Sequence, residues 1–68
     1  MLQLQQFQKI VDSRQFAEID GVLVDIFSAS VVVQVVGALN EANQARLLSF
    51  PVDKIVSMAY TLAAKAAA

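Results

Sequence analysis

The chain is 68 residues long, 57% hydrophobic and 16% charged, with a formal net charge of −1. That length makes one domain, and so small a core is marginal unless a disulfide, a metal or a partner chain adds to it. With no Cys and no His, disulfides, Cys/His zinc sites, thiol nucleophiles and imidazole acid–base chemistry are excluded.

Five basic residues against six acidic ones leave no basic footprint for nucleic acid. The charged fraction lies well below the roughly 25% of an average soluble domain, so apolar surface must be left exposed or covered by another chain. A homo-oligomer or a protein partner is therefore expected, and no cofactor. The start, Met1-Leu2-Gln3-Leu4-Gln5-Gln6, lacks the basic head and apolar run of a secretory leader.

In chain order, Leu4, Phe7, Ile10 and Val11 recur at helical spacing, with Arg14 next in register and Gln5, Gln6, Gln8 and Lys9 on other sides. This period predicts a helix from Leu2 to Phe16 docked by one face; Lys9 and Arg14 are too few cations for a membrane-surface helix. Ala17 to Gly21 reads as a connection, with Gly21 able to take a positive φ. Val22 to Phe27 favours β structure and predicts a short extended segment. Ser28 offers an N-cap for a buried helix from Ser28 to Leu39. Within it, the β-branched run Val31 to Val36 suits a buried strand as well as a helix, and only length and caps favour the helix.

Asn40 closes that helix and caps the next, Glu41 to Ser49, with Glu41 against its positive end. Phe50-Pro51 forces a break, and Pro51 suits the first turn of a last helix in which Val52, Ile55, Val56, Ala59, Leu62 and Ala63 share one face. The Ala-rich tail, about residues 64–68, is expected to fray. The fold class is mainly α: a single domain over residues 1–68, a bundle of about four helices with an extended segment before the central buried one.

The apolar stretch from Val22 to Leu39 also has the length of a membrane span, although Asp25 and Gln34 interrupt it. A catalytic reading starts from Glu18-Ile19-Asp20-Gly21-Val22-Leu23-Val24-Asp25. It resembles the first motif of haloacid-dehalogenase-type phosphatases, whose two aspartates serve as nucleophile and general acid on a magnesium ion. Here Glu18 stands at the nucleophile position, and the chain has no room for the parallel sheet that carries the motif. Glu18, Asp20 and Asp25 could instead hold magnesium or calcium, but without EF-hand spacing. A turn at Asp20-Gly21, with Asp25 capping or solvating an end, explains the same residues more simply.

Three further segments carry a second resemblance: Asp20 to Ser30; Ala38-Leu39-Asn40-Glu41-Ala42-Asn43-Gln44; and Phe50-Pro51-Val52 with Lys54-Ile55. Over about residues 9–62 the chain resembles small proteins encoded by actinobacterial phages, of the mycobacteriophage type. It departs from them at Val36-Gly37, where an aromatic and a polar residue would stand. The resemblance implies phage origin and action in the bacterial host cytoplasm, and brings no site residue with it.

No nucleophile–base pair can be named, so no enzyme is expected. The leading expectation is a non-enzymatic module that self-associates or binds a host protein. Its surface would lie where the central helix meets the last, at Val32, Val36, Leu39, Ile55, Val56 and Tyr60. The alternatives are a helix-turn-helix regulator built from Glu41–Ser49 and the last helix, or a small membrane protein spanning through Val22 to Leu39. The regulator is disfavoured because Lys54 and Lys65 come with Asp53 and without base-reading Arg, Asn or Gln.

Overall fold

The computed structural model describes residues 2–67, with side chains described for residues 4–66. The element order is α1 (Leu2–Ser13), β1 (Ala17–Ile19), β2 (Val22–Val24), α2 (Ile26–Ala38), α3 (Glu41–Leu48) and α4 (Val52–Ala67). Among the described residues, four helices and a small antiparallel hairpin make the mainly α bundle that the periodicity predicts. The readings of Met1 and Ala68 lie outside the described residues.

α1 is three residues shorter than its apolar period suggested. Arg14 takes φ 58° while its N–H still bonds the Ile10 carbonyl at 3.0 Å, a left-handed residue that closes the helix. Freed from the helix, Gln15 and Phe16 lead into β1. The expected plain connection is thus a strand plus a turn. β1 and β2 pair in the register Ala17 with Val24, Glu18 with Leu23 and Ile19 with Val22. Asp20 and Gly21, at φ 51° and 79°, form the two-residue loop. Positive φ at both positions is the turn whose twist matches paired strands, and Asp-Gly is among its preferred sequences.

The central helix begins two residues earlier than Ser28 because Asp25 is its cap. The Ser28 N–H donates to Asp25 Oδ1 at 3.0 Å, so Ser28 supplies the donor instead of the cap. Val31 to Val36 are helical throughout. Asn40 caps α3 as expected, accepting from the Asn43 N–H at 2.9 Å. Gln44 turns back and donates to the Val36 and Leu39 carbonyls at 2.8 and 3.0 Å, satisfying acceptors that the end of α2 leaves open. Pro51 stands one position before α4, its carbonyl accepting from Ile55 N–H. α4 runs to Ala67, so positions 64–67 of the tail are helical, as alanine and lysine favour.

α2 packs against both α1 and α4. Phe7 and Ile10 come from α1, Ile19 and Val24 from the hairpin, Ala29, Val32 and Val36 from α2, and Ile55 and Ala59 from α4. No polar or charged residue is buried among the described ones. The stretch Val22 to Leu39 is divided by the Asp25 cap, and its helix of 13 residues measures about 20 Å against the roughly 30 Å of a bilayer core. Among the described residues no helix is long and apolar enough to cross a membrane.

Two glycines separate strain from packing, because a Cβ on either meets nothing within 4 Å. Gly21→Ala is expected to destabilise by about 1 kcal/mol through its positive φ alone, and Gly37→Ala, within α2, to stabilise by about 0.5–1 kcal/mol. Urea midpoints would check both signs.

The Ser28 hydroxyl and then its N–H hold the Asp25 carboxyl below its ordinary 3.8. A depressed folded value stabilises above 3.8 and is lost as pH falls through that lower value. Asp25→Asn keeps the acceptor without the titration. The wild-type advantage over this variant in urea is therefore expected to shrink below pH 3.8.

Candidate functional site

Alternation along the hairpin decides what faces outward. Ile19 and Val24 turn into the core, so Glu18 and its cross-strand partner Leu23 lie on the opposite face. Phe16 immediately precedes β1. Phe16 is 67% exposed and Leu23 66%. Ile26, 39% exposed, lines the same depression as Arg14, Gln15 and Phe16. Phe27 follows on α2, 67% exposed, with its ring centroid 6.1 Å from that of Tyr60 at an interplanar angle of 36°. The rings are tilted, at a separation within the 4.5–7 Å of interacting aromatic pairs. Beside it, Ser28 Oγ and Tyr60 Oη share a hydrogen bond of 2.8 Å.

Phe16, Leu23, Ile26, Phe27 and Tyr60 are the large hydrophobics left exposed among the described residues. They lie on the hairpin, the start of α2 and α4, with Phe16 and Ile26 in one depression and Phe27 and Tyr60 in ring contact. We call this the shoulder. Its rim carries charges of both signs: Arg14 in the depression, Glu18 opposite Leu23, and Asp25 at the start of α2.

The six residues expected to form the surface are dispersed. Val32, Val36 and Ile55 are 0%, 2% and 0% exposed and belong to the core, because the face where α2 meets α4 is closed by that packing. Val56 is half-buried against the same core. Leu39 lines an open groove of about 510 Å³ with Gln34, Val35, Ala38, Leu62, Ala63 and Ala66. Tyr60 alone of the six reaches the shoulder.

Sequence reasoning passed over Phe16, Leu23, Ile26 and Phe27. The signal was present: Asp20-Gly21 read as a hairpin turn puts Phe16 and Leu23 outside as soon as Ile19 and Val24 are inside.

The carboxylates offer no assembled centre. Among the described residues no group of three or more His, Cys, Asp or Glu stands close enough to hold a metal ion. Glu18 lies on the hairpin's outer face, Asp20 in its loop and Asp25 at a helix cap. The phosphatase-like motif is thus occupied by a hairpin and a cap. α3 and α4 flank the Ser49–Pro51 break, and the exposed side of α4 near it alternates Asp53, Lys54 and Ser57. Comparison with protein-family models, curated proteins and solved structures gave no match.

The shoulder is separable from the core in stability. Ile55→Ala should cost about 3 kcal/mol, a large share of what so small a domain possesses. Leu23→Ala should change stability by no more than about 0.5 kcal/mol. Guanidinium denaturation of the two variants would check the contrast.

Proposed function

We propose that this protein is a non-enzymatic interaction module, phage-encoded and acting in the host cytoplasm, that presents its shoulder to another protein surface. The observation that carries the reading is the concentration of large apolar side chains there. Taking about 200 Å² for a full large side chain, the five residues expose about 550 Å². That lies at the upper end of the range for the largest apolar patch on a monomer, where patches are often functional. Aromatic residues with one arginine at the edge are also the composition of interface hot spots.

Supporting this, the shoulder is held in place before any partner arrives. The Phe27–Tyr60 contact and the Ser28–Tyr60 hydrogen bond link α2 to α4. Prior ordering lowers the entropy lost on binding. The resemblance over residues 9–62 supports the phage source and the cytoplasmic setting.

The test compares wild-type protein with Phe27→Asp, a substitution at an exposed position. Immobilised wild type is expected to retain a protein, whether host protein or free chain, that the variant retains at least tenfold less well. Equal retention by both, or none by either, would sink the reading.

A further inference from the structure

We draw no further inference here: the strongest candidate, the open apolar groove between α2 and α4 at Val35, Leu39 and Leu62, carries nothing because nothing in the structure shows what covers it.

Discussion

Everything in this fold answers to the need to cover α2. A helix carrying Val31, Val32, Val33, Val35 and Val36 has no polar side wide enough to face water, and burying a single valine is worth about 1.5–2 kcal/mol. α1 supplies Phe7 and Ile10, α4 supplies Ile55 and Ala59, and the hairpin contributes Ile19 and Val24. α3 is the short connection between α2 and α4, tied to the end of α2 by Gln44. With α1 and α4 packed on α2, Phe16, Leu23 and Phe27 stay largely exposed.

The shoulder also depends on that core for its shape. A two-stranded hairpin is marginal in water by itself. Here each strand is three residues long and is held by its inward side chains, Ile19 from β1 and Val22 and Val24 from β2. The residues between them in register, Glu18 and Leu23, are displayed as a consequence. Phe27 is fixed by a different device, the cap at Asp25 that starts α2 early enough to bring its ring onto Tyr60. Were Ser28 the cap, Phe27 would belong to the extended lead-in, and this helical placement beside α4 would be lost.

Most helices were legible because their cues are local: apolar spacing in α1 and α4, the Asn40 cap, the Phe50-Pro51 break. The errors share one cause. Arg14 in a left-handed conformation ends α1 although its side chain continues the helical pattern, and no residue type announces that choice. Asp25 and Ser28 are both good caps, and tertiary contact with Tyr60 accompanies the earlier one. Three of the six residues expected at the surface are buried for a related reason. The apolar faces of α2 and α4 are visible in the sequence, but apolarity alone does not tell a face that meets a neighbour from one that meets solvent. Val32, Val36 and Ile55 meet neighbours. The period of two on each side of Asp20-Gly21 carried the information that was needed, over only three residues per strand.

The central claim is that the chain divides into a core gathered on α2 and an outward shoulder that another protein surface covers. Two-dimensional NMR spectra recorded over increasing protein concentration test it most directly. The account predicts shifts confined to Phe16, Leu23, Ile26, Phe27, Tyr60 and their flanking amides, with Val32, Val36 and Ile55 unmoved. Shifts centred instead on Gln34, Leu39 and Leu62, with the shoulder unmoved, would contradict it.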